Sequence, residues 1–77
     1  MKRYVTYDIK EGNSYENLYN YFTEIKAVRI TESTYETDLS LTLDEFCQKL
    51  RSVTSTGDTV VVITRNTEYE LMHRFVR

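Results

Sequence analysis

Apolar residues in this chain recur at two spacings, and the order in which those spacings alternate restricts the fold more than any other feature. Residues 2–9 alternate, with Arg3, Val5, Tyr7 and Ile9 on one side and Tyr4, Thr6 and Asp8 on the other. A period of two is the mark of an extended strand. After Gly12-Asn13-Ser14 the period lengthens, and Tyr15, Leu18, Tyr19, Phe22 and Ile25 fall on one helical face. Asn13 and Glu16 have capping-box spacing, which predicts a first helix over residues 14–26.

Residues 27–31 then read as a short strand with Val28 and Ile30 inward. Glu32-Ser33 turns the chain. Residues 34–40 alternate again, Tyr35, Thr37 and Leu39 against Thr34, Glu36 and Asp38, so the pair predicts a hairpin. Thr42 with Glu45 forms a second capping box, and Leu41 with Phe46 fits a hydrophobic staple. Leu43, Phe46, Cys47, Leu50 and Val53 make that helix's buried stripe, which ends at Ser55-Thr56-Gly57-Asp58. Val60-Val61-Val62-Ile63 is a fourth strand, apolar on both faces. Thr67 with Glu70 is a third capping-box spacing before Tyr69, Met72, Phe75 and Val76. It predicts a short C-terminal helix, with a final strand as the alternative.

Strand, helix, strand, strand, helix, strand is the α+β, ferredoxin-like βαββαβ plan. Right-handed crossovers put both helices on one face of a four-stranded antiparallel sheet, in the order fourth, first, third, second. The fourth strand then lies at an edge. Its outer face calls for a cover, either the tail or a second protomer. A chain of 77 residues forms one domain, residues 1–77, and buries only about 60% of its unfolded surface. With one cysteine, Cys47, it forms no internal disulfide. A partner chain is therefore the expected source of extra buried area. The expected homodimer interface comprises Tyr4, Thr6, Val61, Ile63 and Tyr69, and a tail-capped monomer is the alternative.

Ten basic and twelve acidic residues give a net charge of −2, which is not the footprint of a strong nucleic-acid binder. No apolar run approaches the roughly 18 residues of a membrane span. Unpaired Cys47 suits a reducing compartment, so the expectation is a soluble, cytoplasmic protein with no membrane partner. Seven tyrosines without tryptophan point to rings at an interface. His73 and Cys47 read as surface and core residues. Lys2, Arg3, Arg65, Arg74 and Arg77 come from the two chain ends and form a basic cluster if those ends converge.

Asp8 closes the first strand, and the expected pairing brings it near Thr34 and Glu36 on the helix-free face. Two carboxylates there are able to hold a divalent cation. Solvation, or pairing with Arg29, is the alternative. Tyr7-Asp8-Ile9 resembles the "YD-(I/L)" signature of the small dimeric CRISPR-associated Cas-two proteins and of virulence-associated protein D. Ser33-Thr34-Tyr35-Glu36 is similar to the segment opening that family's third strand. Leu43-Asp44-Glu45-Phe46 and Asp58-Thr59-Val60-Val61-Val62 resemble its second helix and fourth strand. The resemblance spans residues 2–64.

It implies a ferredoxin-like homodimer in which Asp8 binds magnesium at the dimer interface and acts as the catalytic carboxylate of an endonuclease. It equally implies a DNA-binding scaffold, with RNA or duplex DNA as partner, or a toxin–antitoxin ribonuclease. Lys10-Glu11 stands where that family often carries basic residues, and Glu36 and Asp38 add acid to the sheet face. Acid on a docking face opposes phosphate. The alternative is therefore a non-enzymatic phage or mobile-element protein that binds a host protein.

Overall fold

A computed structural model describes residues 2–65 and 71–77 of the chain. Five strands and two helices follow one another: β1 (Lys2–Asp8), α1 (Glu16–Glu24), β2 (Val28–Thr31), β3 (Thr34–Asp38), α2 (Leu43–Ser52), β4 (Thr59–Arg65) and β5 (Leu71–Phe75). The strands form one antiparallel sheet in the order β2-β3-β1-β4-β5. The first four strands stand in the order the sequence predicts, and the fifth is added outside β4.

Alternation in β1 does what its period requires. Arg3, Val5, Tyr7 and Ile9 are buried, whereas Lys2 and Asp8 are exposed and Tyr4 and Thr6 half-buried. On the buried side, Val5, Val60 and Val62 meet Leu18 and Phe22 of α1 and Phe46 and Leu50 of α2 in one apolar cluster. Both helices therefore cover the same side of the sheet. Buried Arg3 donates to the Leu41 carbonyl at 2.6 Å and lies 5.9 Å from the centre of the Phe46 ring. Cys47 is buried and free, as its place on the apolar stripe predicts.

Four local expectations are corrected. First, the described part of the tail takes the alternative form, a strand in place of the helix. The outer edge of β4 offers unpaired N–H and C=O groups that a strand satisfies and a helix cannot. Val76 N donates to Val60 O at 2.7 Å. β4 is therefore an interior strand, with Val60 and Val62 fully buried beneath the helices. Thr67, Tyr69 and Glu70 lie outside the described residues.

Second, the Asn13–Glu16 capping box does not form. Asn13 Nδ2 donates to Asp58 Oδ1 at 2.8 Å and to Thr56 O at 3.1 Å, and Ser14 Oγ accepts from Glu16 N instead. Helix α1 is shorter than expected at both ends, and the chain leaves it through Lys26 at φ 57°. The Thr42–Glu45 box of α2 is complete, with both reciprocal bonds at 3.1 Å.

Third, Val28 and Ile30 are not inward. They are 59% and 48% exposed, because β2 is a four-residue edge strand with a register shift between Arg29 and Thr31. Fourth, among the described side chains, which do not include that of Arg65, the terminal cations are each engaged separately. Lys2 pairs with Glu36, Arg3 with a main-chain carbonyl, Arg74 with Asp44, and Arg77 bonds Thr54 and the Arg51 carbonyl.

Candidate interaction face and strand-end cavity

Directly opposed residues in an antiparallel pair point to the same side of the sheet. The registers therefore give the composition of the side that the helices leave open. Tyr4 lies between Glu36 and Ile63, and His73 stands beyond Ile63. The neighbouring row is Thr34, Thr6, Val61 and Phe75. Val28, opposite Glu36, extends the face onto β2. Four of the five residues expected at a dimer interface, Tyr4, Thr6, Val61 and Ile63, are thus one contiguous patch. Tyr69 is outside the described residues. The half-buried patch is flanked by Phe75, 65% exposed, and by Val28. Phe75 and Val28 are the members that sequence reasoning missed. The sequence pattern puts Phe75 on a short helix, or on a final strand, and Val28 inward.

Polar groups rim this face, with Lys2, Glu36 and Asp38 toward one end and Asp8 and Thr59 at the other. Thr34 Oγ1 donates to Thr6 Oγ1 at 3.2 Å. Lys2 Nζ lies 3.3 Å from Glu36 Oε1. That contact, first as a hydrogen bond and then through charge, raises the Lys2 ammonium above its ordinary value.

Asp8 and Glu36 are not neighbours. Glu36 opposes Tyr4, whereas Asp8 opposes Thr59. Asp8 is four residues along β1 from Tyr4, about 13 Å at the rise of an extended strand. One cation cannot bridge the two carboxylates within a single chain. Arg29 pairs with neither: its Nε and Nη2 donate to the carbonyls of Thr31 and Glu32 at 3.2 and 2.9 Å. Among the described residues, no three His, Cys, Asp or Glu side chains are gathered to hold a metal ion.

Asp8 instead stands between two depressions. A shallow one on the open face is lined by Thr6, Ser33, Thr59 and Val61. On the other side is a cavity of about 280 Å³, lined by Tyr7, Ile9, Tyr15, Tyr19, Arg29, Glu32 and Ser33 as well as Asp8. Tyr15 and Tyr19 have centroids 5.4 Å apart, and Tyr7 meets Tyr19 edge-on at 6.2 Å. Burial, reinforced by the hydrogen bond to Tyr19, drives the Tyr7 hydroxyl well above the usual phenol range. The Tyr15-to-Tyr19 spacing was visible in the sequence, but it reads there as core.

Asp58 is the other residue whose role was not legible. It is 4% exposed and accepts from Lys10 N at 2.9 Å, Asn13 Nδ2 at 2.8 Å and Ser55 N at 2.8 Å. It locks the loop after β1 to the loop before β4, and so holds the strand end on which Asp8 sits. Gly57 beside it has φ +96°, and a Cβ there would come within 2.5 Å of Lys10 Cδ. No protein-family model, curated protein or solved structure matches the chain.

Proposed function

We propose that this chain is a ferredoxin-like interaction module whose helix-free sheet face docks a second copy of itself. The observation that carries the reading is the concentration of unshielded apolar surface on that face: Phe75 and Val28 beside Tyr4, Val61 and Ile63. Isologous pairing requires a surface that complements itself. The face meets this requirement with an apolar centre and a Lys2–Glu36 pair of opposite charges. Five strands give a face about 19 Å across, and β1 is about 20 Å long. That plan area of about 400 Å² marks a small interface. The dimer is therefore a reversible one. A cytoplasmic setting belongs to the same proposal, since buried, unpaired Cys47 suits a reducing compartment.

Sedimentation equilibrium tests this reading. Wild type is expected to dimerise as concentration rises, and Ile63→Glu or Phe75→Glu to remain monomeric and folded. A wild-type monomer at millimolar concentration would refute it.

The Cas-two-like reading is the second, and one observation favours it. Asp8 is exposed at the margin of the docking face, with Thr6 and Thr59 as neighbours. In a face-to-face dimer, two copies of Asp8 are able to approach one another and share a magnesium ion, which would activate water toward a phosphodiester. This version predicts Mg2+-dependent cleavage of RNA or duplex DNA that Asp8→Ala abolishes. Equal behaviour of wild type and Asp8→Ala across a magnesium titration would eliminate it.

A further inference from the structure

The strand-end cavity has a chemistry of its own, complete within one chain. Tyr7, Tyr15 and Tyr19 form its aromatic wall, and Tyr15, 44% exposed, stands at the mouth with its ring against Tyr19. Asp8 and Glu32 line the same space. Neither carboxylate has a hydrogen bond or ion pair with any described side chain or main-chain group. Arg29 is the one cation among the described lining residues; its guanidinium is held by the two turn carbonyls and makes no ion pair with either acid, so the lining keeps an excess of negative charge.

Tyrosine faces are the negative side of the ring quadrupole and attract cations. Two unpaired carboxylates against one engaged guanidinium add to that attraction. The same charges repel phosphate. A bare divalent ion prefers a shell of six or more hard oxygens, and here it would meet phenol rings on one side. We propose that this cavity receives the side chain of a lysine or arginine presented by a partner protein. Its rings would flank the cation, with Asp8 and Glu32 as counter-charges. The inference rests on the interaction-module reading only for the nature of the partner. The cavity does not need the sheet-face dimer, so the two fail separately.

The test is an amide chemical-shift titration of the full chain with three probes: a capped Ala-Lys-Ala peptide, a single-stranded oligothymidylate and MgCl2. The peptide is expected to shift Tyr7, Asp8, Tyr15 and Tyr19 saturably while leaving Val61 and Ile63 unmoved. Tyr15→Leu and Asp8→Asn, both at exposed positions, should each weaken that binding about three-fold or more. Absence of a saturable peptide shift overturns the proposal, as does unchanged affinity in both variants. Stronger shifts of the same amides by the oligonucleotide or by Mg2+ overturn it too, in favour of nucleic-acid or metal binding at Asp8.

Discussion

Asp58 accepts three hydrogen bonds in a nearly closed site, and its chemistry dictates a pH dependence. Burial by itself would raise its pKa. The bonds from Asn13, Ser55 N and Lys10 N, with the charge of Arg77, outweigh burial and hold it below the usual carboxylate range. A depressed pKa in the folded state contributes stability above the unfolded value of about 3.9, and that stability is lost as pH falls through the folded value. Urea titrations at pH 7 and pH 3 should therefore show a smaller difference in Asp58→Asn than in wild type. Asp58→Ala strands buried main-chain donors and should cost about 3 kcal/mol at pH 7.

Tyr7 works in the opposite direction along the pH scale. Its raised pKa means that the fold keeps a proton the unfolded chain releases above about pH 10. Stability should fall as pH climbs past that point. Tyr7→Phe should flatten the decline, as followed by circular dichroism during alkaline titration. Neither residue's role was legible beforehand. Asp58 reads as a turn residue, and two of its three partners, Lys10 and Asn13, come from a loop more than forty positions away.

At the scale of elements, the two helices begin by different means, although both starts have the same spacing of residue types. The Thr42–Glu45 box closes on itself, and its hydrogen bonds to Thr42 depress the Glu45 carboxyl. Asn13 is drawn away by Asp58, leaving α1 with no side-chain cap at its N-cap residue. Thr42→Ala should therefore cost about 1 kcal/mol in urea unfolding. Asn13→Ala should destabilise the Asp58 lock rather than α1. Hydrogen exchange will tell these apart, because the amides of Lys10 and Ser55 should lose protection while those in the first turn of α1 do not. A local motif reports a local option: the Nδ2 bonds to Asp58 Oδ1 and Thr56 O fix the Asn13 side chain on the loop before β4, and a cap would have needed its oxygen as acceptor at the helix end. The tail follows the same rule. Its periodicity permits a helix, but the free edge of β4 rewards a strand with main-chain bonds such as Val76 N to Val60 O.

For the molecule as a whole, the proposed sheet-face dimer carries a concentration dependence of stability. A dimer that forms only from folded chains makes the melting temperature rise with protein concentration. Scans over a hundred-fold concentration range should show that rise for wild type and a constant value for Phe75→Glu. Cover for β4 was foreseen, but its two sides were answered separately: β5 takes the edge, and the half-buried Val61 and Ile63 are left on the open face. Period in the sequence determined the order of the first six elements and the inward set Val5, Tyr7, Leu18, Phe22, Phe46 and Leu50, and with them the sheet order of the first four strands. Such patterns are written in neighbouring residues, and the handedness of crossovers does the rest. Tertiary structure alone decided that Asp8 and Glu36 stand apart, that three tyrosines enclose a cavity beside Asp8, and that Asp58 binds two loops together. Each of these depends on register and on which distant group wins a shared donor, and both are properties of packed surfaces rather than of sequence intervals.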